Sequence, residues 1–144
     1  MTLKKMEVVW LAIVVLSFAV SMAFYPQMPD KLPSHWNAAG EVDGYMSRLW
    51  GLLIVPLISV GMLVLFWAIP RLDPLKANIA GFRKYYDGFV VVILLYMNSI
   101  QAMIILWGLD YKVSPNIIIP IGVGILFFCI GILLQNARRN WFVG

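Results

Sequence analysis

Four long apolar runs alternate with polar segments along the chain. The runs cover about residues 8–25, 49–69, 89–109 and 117–135. A transmembrane helix needs about 20 mostly apolar residues, so each run is long enough to cross a bilayer. The pattern therefore predicts an all-α fold, an integral membrane four-helix bundle that forms a single domain over residues 1–144.

The polar segments between the runs predict the loops. Residues 26–48 form a long polar loop between the first two spans, and residues 70–88 form a basic connection between the second and third. Within that connection, Asp73 followed by Pro74 predicts the start of a helix, because proline suits the first helical position.

The composition agrees with a membrane protein. The chain is 62% hydrophobic and 12% charged, whereas soluble domains contain roughly 45–50% apolar and about 25% charged residues. The net charge of +4 does not indicate direct nucleic-acid binding, because the basic residues are spread between the apolar runs. Cys129 is the single cysteine, which excludes an intramolecular disulfide framework and a thiolate metal site.

The distribution of basic residues predicts the orientation. Cytoplasmic segments of membrane proteins carry an excess of Lys and Arg. Eight of the eleven basic residues fall on one side of a four-span protein, namely Lys4, Lys5, Arg71, Lys76, Arg83, Lys84, Arg138 and Arg139. We therefore expect a multi-pass protein of the cell membrane with both termini in the cytoplasm and the loop of residues 26–48 outside.

The outer loop contains the candidate ligand-binding residues. The segment PSHWNAAGEVDGY is typical of compact turn structure, since Gly40 and Gly44 permit backbone angles closed to other residues. One interpretation is a folded cap whose polar groups satisfy one another; the other is a recognition surface for a peptide or a lipid headgroup. The candidates are His35, Trp36, Asn37, Glu41, Asp43 and Tyr45.

A metal-dependent membrane enzyme is an alternative hypothesis for the same loop. His35, Glu41 and Asp43 offer an imidazole and two carboxylates, a ligand set that suits zinc or another divalent cation. The sequence has no HExxH motif and no second histidine. We therefore expect no catalytic residue, no metal and no cofactor, and expect that the protein is not an enzyme.

Two polar residues in the third span raise a further alternative. Asn98 and Gln101 lie three residues apart on one helical face. Polar groups inside a membrane are often functional, but interhelical hydrogen bonding, at ~0.6 kcal/mol per pair, is the favoured interpretation. The alternative is a small homo-oligomeric transporter whose path is lined by Pro56, Asn98, Gln101 and Pro120.

Three segments resemble motifs of the SdpI family of membrane immunity proteins. LPSHWNAAGEVDGYMSR resembles the family's outer-loop motif, which is matched by Leu32, Pro33, His35, Trp36, Asn37, Gly40, Asp43, Gly44, Ser47 and Arg48. DPLKANIAGF is similar to the Asp-Pro-x-x-x-Asn segment, and RNWFVG to the start of the Asn-Trp-Phe-x-Gly stretch. The chain stops at Gly144, within the third motif, so we expect a shortened form that holds the family's N-terminal domain of unknown function.

The resemblance implies protection against a secreted peptide toxin that attacks the cell membrane. In some members it also implies signalling, in which the toxin-bound protein sequesters a transcriptional repressor at the membrane. On this interpretation the outer loop would meet the toxin. The repressor would be met by the basic inner segment, through Arg71, Lys76, Arg83 and Lys84, and membrane lipids would be the remaining partners.

Overall fold

The computed structural model describes residues 5–142. Lys4, which contributes to the predicted orientation, and Val143 and Gly144 of the third motif lie outside the described residues. Within residues 5–142, four helices are long and apolar enough to cross a membrane. The helices are α1 (Lys5–Phe24), α2 (Arg48–Leu72), the short α3 (Lys76–Gly81), α4 (Arg83–Gly108) and α5 (Pro115–Asn136). The predicted helical membrane bundle is confirmed.

The ends of the observed helices differ from those of the predicted spans by one to six residues, and two of these differences have a local cause. The first span passes after Phe24 into a short 3-10 turn, Tyr25–Gln27, at Pro26. Helix α4, which corresponds to the third predicted span, begins at Arg83, six residues before the predicted start at residue 89. It extends this far because Arg83 and Asp87 form an ion pair one turn apart, with 2.5 Å between Nε and Oδ1, which supports a helical start outside the apolar run.

The outer loop contains a β-hairpin that the sequence did not predict. Strand β1 (Lys31–Trp36) pairs antiparallel with β2 (Val42–Ser47). Side chains alternate along β2 between half-buried and exposed positions, as expected for a strand with one covered face. Pro33 and Gly44 are residues that strands usually avoid, which is why local preference indicated only turns.

Helix α4 lies at the centre of the bundle and contacts α1, α2 and α5. We call the two ends of the bundle the termini end, where α1 begins and α5 ends, and the hairpin end. A core cluster at the termini end includes Trp10, Phe82 and Tyr86. A second cluster at the hairpin end includes Leu32 and Leu52. The hairpin is thus part of a buried core.

Helix α3 begins two residues after Pro74, the first helical residue that the sequence predicted. Helix α3 begins at Lys76, after Leu75. Asp73 instead ends α2, where its backbone N–H donates to Ile69 O at 3.1 Å. Its carboxylate accepts hydrogen bonds from the backbone N–H groups of Leu75 at 2.7 Å and Trp141 at 2.9 Å. One carboxylate oxygen of Asp73 thus caps the turn that precedes α3, and the other joins this turn to Trp141.

Candidate functional site

The hairpin is seated on the helices through Leu32. This side chain is fully buried, and it lies against two glycines on different helices. A Cβ added at Gly51 of α2 would lie 2.7 Å from Leu32 Cβ, and one added at Gly108 of α4 would lie 2.6 Å from Leu32 Cδ2. Both glycines therefore permit a close approach that a larger residue would prevent.

Trp36 attaches the far end of β1 to the bundle. Its ring makes an edge contact with Trp107 of α4, with 5.9 Å between the ring centres. The tip of the hairpin is held nearby, because Asn116 Nδ2 donates to Ala38 O at 3.1 Å at the start of α5. Trp36 therefore packs against the bundle, although the sequence suggested it for ligand binding.

Asn37 and Glu41 build the turn between the strands. The Asn37 Oδ1 atom accepts hydrogen bonds from the backbone N–H groups of Ala39 at 2.9 Å and Glu41 at 3.0 Å. Asn37 Nδ2 also donates to Glu41 Oε2 at 3.1 Å. Gly40 has a φ of 81°, a backbone conformation that glycine adopts without strain. The polar residues at the tip thus largely satisfy one another, as the folded-cap interpretation expects.

Arg48 closes the base of the hairpin. Its Nη2 donates to Asp30 Oδ1 at 2.5 Å, and its Nε donates to Pro29 O at 3.2 Å. The guanidinium also lies over the Tyr25 ring, 5.4 Å from its centre. The last basic residue of the first motif therefore fixes the strand ends to the helix ends.

Four of the six candidate residues are exposed, and three of them lie outside the hydrogen bonds of the turn. His35 Nδ1 and Asp43 Oδ1 lie 2.5 Å apart across the strands, and both side chains are exposed. Tyr45 is 61% exposed and has no structural role of the kind that Trp36 and Asn37 have. We call His35, Asp43 and Tyr45 the exposed face of the hairpin.

The residues suggested as metal ligands do not come together as a set of three. His35 is paired with Asp43, whereas the Glu41 carboxylate is held by Asn37. Across residues 5–142, no group of three His, Cys, Asp or Glu side chains is placed to hold a metal ion. The geometry therefore offers the metal-enzyme alternative no support.

The basic inner residues divide into two kinds. Arg71 Nη2 contacts both carboxylate oxygens of Glu7, at 2.9 and 3.0 Å. Arg83 Nη2 donates to Glu7 Oε1 at 3.2 Å, and Glu7 is only 2% exposed. Lys76 and Lys84, by contrast, are exposed. The structure thus uses the two arginines to hold α1, α2 and α4 together.

The residues suggested for a transport path do not line a common channel. Pro56 is buried in α2, whereas Pro120 is exposed on α5. Asn98 Nδ2 donates to Ile13 O of α1 at 3.5 Å, the interhelical contact that the sequence favoured. Gln101 is 2% exposed, and its amide makes no hydrogen bond with the residues that the structure describes.

Comparisons with known proteins agree with the motif resemblance. The model of a domain of unknown function, DUF1648, matches residues 12–60. The chain is 26% identical over 140 residues to the immunity protein SdpI of Bacillus subtilis (strain 168). The aligned region covers 97% of this chain and 65% of that protein. It is 32% identical over 62 residues to the uncharacterized membrane protein YbgB of the same organism. This aligned region covers 43% of this chain and 64% of that protein.

The chain therefore spans just under two thirds of the length of these relatives. No solved structure matches it. The similarity to SdpI over 97% of the chain and the DUF1648 match support membership of the SdpI family, so the recognition made from the three motifs is confirmed.

Proposed function

We propose that this SdpI-family membrane protein is an immunity protein, which protects its cell by binding a secreted peptide toxin on the exposed face of the hairpin. The proposal rests on one observation. The first family motif folds into a hairpin in which some residues anchor the structure, through Leu32, Trp36 and Arg48, while His35, Asp43 and Tyr45 remain exposed.

The comparisons support placing the function in the hairpin. The relative that is similar over 97% of this chain carries the name of an immunity protein. The matched domain, residues 12–60, contains the whole hairpin together with the parts of α1 and α2 on which it sits. The hairpin and its support are therefore the part that the chain shares with other proteins of that domain.

The physical character of the exposed face suits a peptide. Tyr45 offers a large ring and a hydroxyl group, which together give apolar contact and hydrogen bonding at a small cost in side-chain entropy. The His35–Asp43 pair adds hydrogen-bonding groups beside it. Since the hairpin is fixed at its base, middle and tip, binding would require little ordering of the loop.

The proposal includes the predicted orientation. Exposed cations at the termini end include Lys76, Lys84 and Arg139. At the hairpin end, Arg48 is paired with Asp30, and Lys112 Nζ lies 3.9 Å from Asp110 Oδ1. Of the ten basic residues that the structure describes, seven lie at the termini end and Lys31, Arg48 and Lys112 lie at the hairpin end, and this excess supports a cytoplasmic position for the termini end.

The proposal places a signalling role at the inner end, which is the termini end. Arg71 and Arg83 are engaged with Glu7, so they are poorly placed to bind a transcriptional repressor. Lys76 and Lys84 are the members of the predicted set that remain exposed. We therefore assign the repressor contact to these two lysines.

A survival assay tests the proposed function. Cells that lack their own immunity protein would express this chain and be challenged with the secreted peptides of a Bacillus subtilis (strain 168) culture. We expect protection by the wild-type chain, loss of protection by Tyr45→Ala, and full protection by Tyr111→Ala. Tyr111 is a matched control, because it lies near the hairpin end, is 65% exposed and belongs to none of the three motifs.

Two results would overturn the proposal. One is a wild-type chain that gives no protection although it is present in the membrane. The other is full protection by Tyr45→Ala at a membrane level equal to that of the wild type.

A further inference from the structure

The seam between α4 and α5 contains an apolar groove, and Lys84 is the one lining residue that the proposed function also uses. At mid-depth it widens to a cavity of about 320 Å³ beside Leu95, Tyr96 and Ile125. Toward the termini end it continues as a cavity of about 230 Å³ that Lys84 and Gly88 line. Val92 borders both cavities, so they follow one another along the same seam.

The length of the groove matches one leaflet of a bilayer. From Gly88 to Ser99, α4 rises by about 16 Å at 1.5 Å per residue. The hydrocarbon core of a bilayer is about 30 Å thick, so the groove spans roughly half of it. Leu95 and Ile125 are both about half exposed, which shows that the groove opens to the outside of the bundle.

Positive charge marks the termini end of the groove. Lys84 lines this end and is exposed, with its Nζ 4.7 Å from the centre of the Tyr85 ring. The Arg138 guanidinium lies 3.3 Å from the position that a Cβ on Gly81 would take, and Gly81 is the last residue of α3, three residues before Lys84. Asp87 also lies near this end, but its carboxylate is paired with Arg83 and is mostly buried.

We propose that the groove is a binding site for an anionic phospholipid of the leaflet at the termini end. One acyl chain would lie along α4 and α5, and the phosphate group would face Lys84. An apolar groove of one leaflet's length with a cation at its membrane boundary fits both parts of such a lipid. Neither a water-soluble ligand nor a phosphate ion would account for the apolar length of the groove.

Gly88 provides a direct way to block the groove. A Cβ added at Gly88 would meet no atom within 4 Å, so a leucine there would extend into the groove without a clash in the backbone around it. Gly61 of α2 is the matched control, since a Cβ there also meets nothing within 4 Å and Gly61 does not border the groove. Lys76 is the matched control for Lys84, because both are exposed lysines at the same end.

The experiment is native mass spectrometry of the purified chain in mild detergent, titrated with phosphatidylglycerol or phosphatidylcholine. We expect one phosphatidylglycerol per wild-type chain, and about tenfold weaker binding to Gly88→Leu. Gly61→Leu should bind as the wild type does. Lys84→Gln should bind phosphatidylglycerol no better than phosphatidylcholine, whereas Lys76→Gln should keep the preference. Circular dichroism of each variant would show that its helices are intact.

Three results would overturn the proposal. The first is equal binding of phosphatidylglycerol by Gly88→Leu and the wild type. The second is equal binding of the two lipids by the wild-type chain, which would remove the anionic headgroup from the site. The third is a dimer of the chain in place of the lipid complex, with the dimer lost in Gly88→Leu, which would assign the groove to a second copy.

Discussion

The Asp73 carboxylate accepts a hydrogen bond from the backbone N–H of Trp141 at 2.9 Å, and this contact joins two motifs that lie 68 residues apart. Asp73 belongs to the Asp-Pro-x-x-x-Asn segment, and Trp141 belongs to the Asn-Trp-Phe stretch. A second bond links the same segments, because Asn78 Nδ2 donates to Arg139 O at 2.8 Å. The two motifs thus form one structural unit at the termini end.

Replacement of Asp73 by alanine should therefore destabilise the termini end. Asp73 is 1% exposed, and hydrogen bonds to charged groups contribute roughly 1.5–3 kcal/mol each. We expect Asp73→Ala to lower the free energy of unfolding by about 2 kcal/mol or more, measured by thermal unfolding in detergent. Asp43→Ala, at an exposed carboxylate, serves as control. Equal unfolding temperatures for Asp73→Ala and the wild type would contradict the structural role of this contact.

Glu7 should be important for the packing of three helices. Its buried carboxylate contacts Arg71 of α2 and Arg83 of α4. Removal of one partner from a buried ion pair costs about 3–5 kcal/mol, so Glu7→Ala should lower the unfolding free energy by roughly 3 kcal/mol. Chemical unfolding in mixed micelles measures this change, with Asp43→Ala, at an exposed carboxylate, as reference. A loss no larger than that of the reference would show that the network does not stabilise the bundle.

Replacement by leucine should lower the stability of the protein at one glycine of α2 and leave it unchanged at another. At Gly51 a Cβ would lie 2.7 Å from Leu32 Cβ, whereas at Gly61 it would meet nothing within 4 Å. Gly51→Leu should therefore displace the hairpin, lower the unfolding temperature and remove protection in the survival assay. Gly61→Leu should leave both unchanged. Similar behaviour of the two variants would contradict the seating of Leu32 against α2.

Trp36 and Asp43 should both affect protection, but through different causes. Trp36→Ala removes the contact with Trp107 and should lower the free energy of unfolding by about 1 kcal/mol or more. Asp43→Ala changes an exposed side chain and should leave stability unchanged while protection falls. Survival and thermal unfolding measured side by side separate these effects. Full protection by Asp43→Ala would exclude this carboxylate from toxin binding.

The helices could be predicted from the sequence, whereas the hairpin could not. Each span is an apolar run whose length alone identifies it. The strands, by contrast, depend on the seating of Leu32 between Gly51 and Gly108, a contact between residues that are distant in the sequence. Local signals such as Gly40 and Gly44 indicated turns, and the contact between distant residues decided the fold.

Distant partners also explain why the candidate site residues separated into anchors and exposed groups. The sequence shows that Arg71 and Arg83 are basic, but their partner Glu7 lies 64 and 76 residues away. The sequence signal for this ion-pair network is Glu7, an acidic residue at the start of an apolar span. Similarly, the composition of the loop identifies Trp36 and Tyr45 as aromatic, and only the position of Trp107 shows which ring faces the bundle.

The measurement that tests the central claim most directly is the labelling of single cysteines in intact cells with a membrane-impermeant thiol reagent. Cys129 would be replaced by alanine, and Lys31→Cys and Lys76→Cys would be compared, since both lysines are exposed at opposite ends of the bundle. We predict labelling of Lys31→Cys in intact cells and labelling of Lys76→Cys only after the membrane is permeabilised. Labelling of Lys76→Cys but not Lys31→Cys in intact cells would place the hairpin inside the cell and contradict a role in binding a secreted toxin.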